Sequence, residues 1–252
     1  MELLAGTSGF SYDEWKGSFY PSDLTKKEML GYYAERLPSV EINNTFYRMP
    51  RSSVVDDWVS QVGDGFKFVV KASRRITHFK LLHDVGEEVE YLLSKTARFG
   101  DSLGAILFQL PPQLTVDVER LATCVALIPD GVRAAFEFRH DSWLEEGRVV
   151  DVLADYNVAL VGGDEEDGTA RLVKTGDWGY LRFRRDDYSA AEIRARAAAV
   201  LSQGWSDAFV FFKHEEDGAG PPLARSFLDA AATKPTRKQA PSKKAARIKK
   251  TG

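Results

Sequence analysis

Gly104-Ala105-Ile106-Leu107-Phe108-Gln109 is the stretch on which the fold turns. Its four central residues are apolar without a break. A strand with one wet face alternates, so an unbroken run marks a strand covered on both faces, as in a parallel sheet. Phe209-Val210-Phe211-Phe212 repeats the signature near the end of the chain. Working outward, runs of β-branched and aromatic residues recur at Leu3–Thr7, Ser39–Ile42, Phe66–Lys71, Gly104–Gln109, Arg133–Phe138, Val158–Gly162, Tyr180–Arg184 and Ala208–Lys213.

Helical patterns separate these runs. They cover Lys26–Arg36, Ser53–Val62, Val85–Phe99, Val116–Ile128, Arg148–Tyr156, Ala190–Ser202 and Pro222–Ala232. Val89, Leu92, Leu93 and Thr96 fall on one face at three- and four-residue spacing, and Ser189 stands where an N-cap belongs. Strand and helix in alternation predict right-handed βαβ units. Eight strands in about 230 residues predict an α/β fold, a TIM-barrel-like (β/α)8 parallel barrel. An open, doubly wound sheet is the competing architecture. The long segment Ser8–Thr25 and the short Asp164–Trp178 carry no good helix.

The barrel is expected over residues 1–233. Residues 234–252 hold eight Lys or Arg, no acid and no aromatic, so they predict a disordered basic tail. Residues 1–233 then hold 26 basic against 37 acidic residues, a net of −11. Such a tail can meet nucleic acid through counterion release, or can be an inert solvated extension. No apolar run approaches the roughly 18 residues of a membrane span. Met1–Gly6 lacks the basic and apolar regions of a signal peptide. The single Cys124 suits a reducing compartment, so a cytoplasmic, membrane-free protein is expected.

Functional residues of a parallel barrel lie where strands end. Strand two ends in Glu41-Ile42-Asn43, which places Glu41 and Asn43 on one side, the barrel interior. A buried carboxylate needs a partner, and Lys71 at the end of strand three is the natural one. Gln109 ends strand four. Strand five ends in Glu137-Phe138-Arg139-His140-Asp141-Ser142-Trp143. Glu137 and Arg139 share a face, His140 titrates near neutral pH, and Trp143 offers a stacking surface. Asp164 ends strand six. Arg182 and Arg184 share a face of strand seven, and Lys213-His214 end strand eight. Glu41, Glu137 and His140 are the expected acid/base residues. Asn43, Tyr47, Lys71, Gln109, Arg139, Trp143, Asp164 and Arg182 are the expected ligand contacts. Arg forks bind phosphate or carboxylate bidentately, so a small anionic substrate is the expected ligand. The alternative is a salt-bridged plug with a structural role.

Gly6-Thr7-Ser8-Gly9 lacks the G-x-G-x-x-G fingerprint, which speaks against a dinucleotide. The four histidines form no metal motif, and the carboxylates have cationic neighbours, so no cofactor and no metal is expected, with a divalent ion held by Glu41, Glu137 and Asp164 as the open alternative. Tyr12, Trp15, Phe19, Tyr20, Phe46, Tyr47 and Trp143 form an aromatic group in early loops and at strand ends. Core packing explains it most simply; stacking of a sugar or base is the sharper alternative.

These motifs together resemble a known family. Gly6-Thr7-Ser8-Gly9-Phe10-Ser11-Tyr12 with Trp15-Lys16-Gly17 and Phe19-Tyr20-Pro21 is similar to the opening of the YecE-like family, domain of unknown function 72. Val40–Tyr47 resembles that family's most typical block. So do Phe68–Ala72 with Ile76-Thr77-His78, Leu107–Pro112, and Glu137–His140 with Ser142-Trp143. The resemblance runs from about residue 4 to residue 230 and implies a TIM-barrel-like fold. It implies no particular reaction. The matched positions are Glu41, Asn43, Thr45, Tyr47, Lys71, His78, Gln109, Glu137, Arg139, His140 and Trp143. The late strands depart from the pattern: Arg184-Arg185 stands where His-Gly is expected, and Lys213-His214 where Asn-Asn is expected. Three functions follow as expectations. The first is an enzyme acting on a phosphorylated or sugar-like anion. The second is a nucleic-acid-binding or endonuclease-like module, and the third a scaffold.

Overall fold

The computed structural model describes residues 1–164, 170–185, 187–213 and 218–232. The predicted tail and His214 lie outside them. The strands are β1 (Glu2–Ser8), β2 (Ser39–Ile42), β3 (Lys67–Lys71), β4 (Leu103–Gln109), β5 (Ala134–Glu137), β6 (Ala159–Leu160), β7 (Gly162–Asp164), β8 (Ala170–Arg171), β9 (Trp178–Phe183) and β10 (Asp207–Phe212). Their order in the sheet is β6-β5-β4-β3-β2-β1-β10-β9-β7-β8. All pairings are parallel except β7 with β8.

Val161 alone separates β6 from β7. One bent stretch therefore pairs with β5 on one flank and β9 on the other, so the two ends of the ladder meet and the sheet curls into a barrel. The order of neighbours never doubles back, as it does in a doubly wound sheet. The predicted sixth strand, Val158–Gly162, is this bent stretch. The bend escapes a pattern reading because β6 and β7 are too short to show a period.

The helices are α1 (Met29–Ala34), α2 (Ser52–Ser60), α3 (Gly86–Thr96), α4 (Val118–Val125), α5 (Ser142–Glu145), α6 (Gly147–Asp155), α7 (Ala190–Leu201) and α8 (Gly220–Ala232). Ser189 caps α7 in a reciprocal box with Glu192, and Asp117 caps α4 through the Arg120 amide at 3.0 Å. On α3, Val89, Leu92 and Thr96 are buried. The short α5 was not expected from the sequence.

Two cores result. One lies between sheet and helices. The other fills the barrel with Leu4, Val69, Ala105, Leu107, Ala135, Ala159, Trp178, Tyr180, Phe209 and Phe211. Each large side chain of this kind contributes about 1.5–3 kcal/mol on burial. Two glycines permit the close packing. A Cβ on Gly6 would stand 1.9 Å from the Ser39 carbonyl oxygen, and one on Gly163 would stand 2.6 Å from that of Arg182. The N-terminal mouth is closed by Arg133, paired with Asp207 at 2.7 Å and lying over the Trp178 ring.

In the segment Ser8–Thr25, packing takes two of the aromatics. Trp15 and Tyr20 are buried, their rings stack at 5.9 Å, and the Tyr20 hydroxyl donates to the Phe10 carbonyl. These aromatics pack the first loop onto the helix layer. No helix among the described residues is long and apolar enough to cross a membrane.

Candidate functional site

Alternation along each strand brings a polar layer above the apolar filling of the barrel. Ser8, Glu41, Lys71, Gln109, Glu137, Tyr180 and Arg182 form it, and Asn43, Arg139 and Arg184 extend it towards solvent. Glu41 is fully buried. Its Oε1 accepts from Ser8 Oγ at 2.9 Å, Asn43 Nδ2 at 3.0 Å and Arg182 Nη2 at 2.7 Å. Its Oε2 accepts from the Tyr180 hydroxyl at 2.6 Å. Burial alone would push the Glu41 carboxyl up. Arg182, Tyr180, Arg184 and Asn43 outweigh it and hold the carboxyl down at about 2.

Arg182 is the hub. Its Nη1 donates to Glu137 Oε2 at 2.5 Å and to Gln109 Oε1 at 3.1 Å. Glu137 Oε1 pairs with Arg139 Nη2 at 2.6 Å. Burial pushes the Glu137 carboxyl up, but Arg182, Arg139 and Arg184 hold it lower than usual. Lys71 Nζ donates to Gln109 Oε1 at 3.1 Å and lies over the Phe46 ring at 4.5 Å. The expected Glu41–Lys71 pair is therefore replaced by Glu41–Arg182. Register explains the exchange. Glu41 stands beside Val69, so Lys71 occupies the next interior level up.

Other expected residues fall elsewhere. Trp143 is not at the rim. It is buried, stacks on Phe138 at 4.6 Å and 8°, and donates its Nε1–H to the Leu114 carbonyl at 2.7 Å. Helix α5 turns the indole into the layer between sheet and helices. Asp164 stands apart from Glu41 and Glu137. It accepts from the Arg184 amide at 2.9 Å, the Tyr188 hydroxyl, and Arg196 Nη2 at 2.7 Å. It anchors the chain after β9 to α7. His140 Nδ1 accepts the Ser142 amide at 3.2 Å and sits 2.9 Å from Ser142 Oγ. No hydrogen bond joins His140 to Glu137, whose oxygens are taken by the two arginines. Tyr47 is exposed, with Arg74 5.4 Å from its ring centre.

Ser8, Tyr180 and Arg184 of the layer, and Phe46 beside it, were given no site role from sequence. Tyr180 and Arg184 lie two residues either side of Arg182, so alternation carries their signal. Ser8 follows Leu4 and Gly6 by the same rule. Phe46, beside Lys71, has no such signal, because it sits in the 3-10 turn Asn44–Phe46.

Among the described residues the layer carries four cations, Lys71, Arg139, Arg182 and Arg184, against two carboxylates. Arg184 makes no ion pair among the described residues, and its buried Nε has no hydrogen-bond partner. Burial and the Arg182 charge lower its pKa. Asn43 Oδ1 is likewise buried without a partner. Asn43 also lines a cavity of about 470 Å³ with Tyr12, Lys26, Lys27 and Trp58. Among the described residues, no group of three or more His, Cys, Asp or Glu is placed to hold a metal ion.

Comparison with known proteins agrees with this architecture. The UPF0759 protein YunF of Bacillus subtilis is 29% identical over 135 residues, 50% of this chain and 48% of the relative. The UPF0759 protein YecE of Escherichia coli is 27% identical over 116 residues, 46% of this chain and 43% of the relative. The chain thus spans about half the length of the curated relatives it matches. The crystal structure of a DUF72 family protein from Thermotoga maritima superposes with a TM-score of 0.78 at 26% identity, covering 91% of this chain and 98% of that one. A DUF72 family protein from Enterococcus faecalis gives 0.76 at 23% identity over 94% and 99%, a likeness of fold. The model of the family described as protein of unknown function DUF72 matches residues 4–247, and the chain belongs to that family.

Proposed function

We propose that the C-terminal rim of the barrel binds a small anionic, phosphorylated or sugar-like ligand, and that the protein is an enzyme acting on it. The observation that carries this reading is the cation surplus: four basic side chains around two carboxylates, with Arg184 unpaired among the described residues. A half-buried cation outside any ion pair is costly, and an anionic ligand lowers the cost. Guanidinium forks match phosphate and carboxylate oxygens. Among the described residues the polar layer is cationic although residues 1–233 carry a net of −11. The general field therefore repels anions that the site itself attracts, which favours selective over diffuse binding.

Proton transfer has local candidates. Glu137 is held ionised and can accept a proton. Lys71, held at about 8, can give or take one near neutral pH. Titration calorimetry with inorganic phosphate and a panel of sugar phosphates tests the reading. Binding by the wild-type chain that Arg184→Ala abolishes is expected. Equal affinity in both, or none in either, removes the reading.

A second reading, a nucleic-acid-binding module, has one observation of its own. Tyr47, Phe79 and Tyr91 are exposed, and Arg48, Arg51 and Arg74 around them make no ion pair among the described residues. Arg74 lies 5.4 and 5.1 Å from the Tyr47 and Phe79 ring centres. Aromatic faces interleaved with guanidiniums outside ion pairs suit stacked bases and their phosphates. Fluorescence anisotropy with a single-stranded oligonucleotide tests it, and binding unchanged by Arg74→Ala would remove it.

A further inference from the structure

We propose that Lys71 is the nucleophilic amine of this site and forms an imine with a carbonyl group on the anionic ligand. The inference rests on the anion-site reading and adds the ligand's reactive group to it.

The geometry comes first. Lys71 ends β3 on the interior face of the barrel, half-buried. Its Nζ donates to a neutral amide oxygen, Gln109 Oε1, at 3.1 Å, and makes no ion pair among the described residues. Gln109 shares that oxygen with Arg182, which fixes where the amine stands. Phe46 covers the amine from one side at 4.5 Å. The charged groups that act on it come from four elements: Glu41 on β2, Glu137 on β5, Arg182 and Arg184 at the end of β9, and His78 in the turn after β3.

These groups decide the amine's state. Glu41 and Glu137 favour the ammonium, as does the Phe46 face, but both carboxylates are already paired with arginines. Burial and the Arg182 charge win, and the Lys71 pKa falls to about 8. At pH 8 about half of such an amine is neutral, against roughly 0.4% of an ordinary lysine, an advantage of about a hundredfold. The neutral amine is the nucleophile.

The reaction balances without a further reagent. The Nζ lone pair attacks the carbonyl carbon, forming the C–N bond while the C=O π electrons move to oxygen, and one proton passes from the nitrogen to that oxygen to give the carbinolamine. The carbinolamine nitrogen then gives up its remaining proton, the hydroxyl leaves as water, and the C=N bond forms. His78 can carry these protons. Its Nδ1 lies 2.8 Å from Thr77 Oγ1 and its ring packs on Phe46 at 4.8 Å. Burial and Lys71 lower its pKa, which favours the neutral imidazole.

Two carbonyl probes test the inference on the full chain. Formaldehyde with cyanoborohydride carries no charge and reports the amine alone. Pyridoxal 5′-phosphate with borohydride reports amine and anion site together. Peptide mass spectrometry at pH 8 is expected to find Lys71 alkylated first by formaldehyde, with a rate that rises to a midpoint near pH 8. Pyridoxal phosphate is expected to modify Lys71 in preference to surface lysines, with inorganic phosphate protecting it. Lys71→Arg, which keeps the charge, should fold with an unchanged melting profile and lose both adducts. Labelling of Lys71 no faster than the exposed lysines overturns the inference, and phosphate binding by the same sample then shows that the anion site survives it. Preferential formaldehyde labelling of Lys71 without phosphate protection or binding upholds the amine and overturns the anion site instead.

Discussion

Arg182 Nη2 stands 2.7 Å from Glu41 Oε1, and both side chains are buried inside the barrel. The other terminal nitrogen of the same guanidinium reaches Glu137, so one side chain of β9 ties β2 to β5 through the interior. Removing it leaves Glu41 desolvated and charged without its partner. Arg182→Met is expected to cost about 3–5 kcal/mol. Glu41→Gln in the same chain should restore part of that loss. Urea denaturation of the two single variants and the double variant measures the coupling, and strict additivity would show that the pair is not a unit.

The same pair gives the fold an acid-sensitive contribution to stability. The Glu41 pKa is depressed from 4.5 to about 2. A depressed carboxylate stabilises the fold above its unfolded value, and the contribution vanishes as pH falls through the folded value. Glu41 therefore contributes about 3 kcal/mol above pH 4.5, lost between there and about pH 2. Lys71 is also depressed, from 10.5 to about 8, so its sign is the same: the folded state gains as pH rises from 8 to 10.5. Lys71→Met should raise the urea midpoint at pH 7, with the difference from wild type shrinking above pH 8.

Arg184 is expected to behave unlike Arg182. It makes no ion pair among the described residues, and burial and the Arg182 charge disfavour its charged form, so Arg184→Ala should melt no lower than wild type in plain buffer. In phosphate the order should reverse. A ligand at a hundred times its dissociation constant stabilises its site by about 2.7 kcal/mol, and only the wild type can gain it. A thermal-shift titration reads both halves of this prediction.

Tyr47 and Trp143 separate the two kinds of aromatic. Tyr47→Ala should leave stability within about 0.5 kcal/mol and weaken single-stranded oligonucleotide binding by about 1–3 kcal/mol. Trp143→Ala should cost about 3–5 kcal/mol of stability. Denaturation paired with anisotropy distinguishes them.

Much of this was legible in the sequence. Runs such as Ala105–Phe108 and Phe209–Phe212 declare strands covered on both faces, and period-two alternation put Glu41 inside the barrel and gave Glu137 and Arg182 a shared face with Arg139 and Arg184, respectively, at their strand ends. Partner choice was not legible. Whether Glu41 meets Lys71 or Arg182 depends on the vertical offset between β2 and β3, and no local pattern encodes it. The Trp143 indole points away from the rim because a one-turn helix starts at Ser142, a turn too short to show a period. Arg184 stands where the family pattern expects His-Gly, and the sequence could mark it as a departure but not as an unpaired charge.

The bent stretch through Val161 leaves the barrel with a seam. Ala135–Ala159 and Phe136–Leu160 are its pairs on one flank, Gly162–Leu181 and Gly163–Arg182 on the other. Opposite, β1 and β10 are laced from Glu2–Asp207 to Thr7–Phe212. A cylinder stitched so unevenly parts at its short stitches first, so the amides of Val161–Asp164 should exchange with solvent ahead of those in β1. Asp164, just beyond that seam, holds the Arg184 amide. A ligand clasped by Arg184 would therefore act as a rivet, and occupancy of the rim would be felt as rigidity along the one line where the wall is thin.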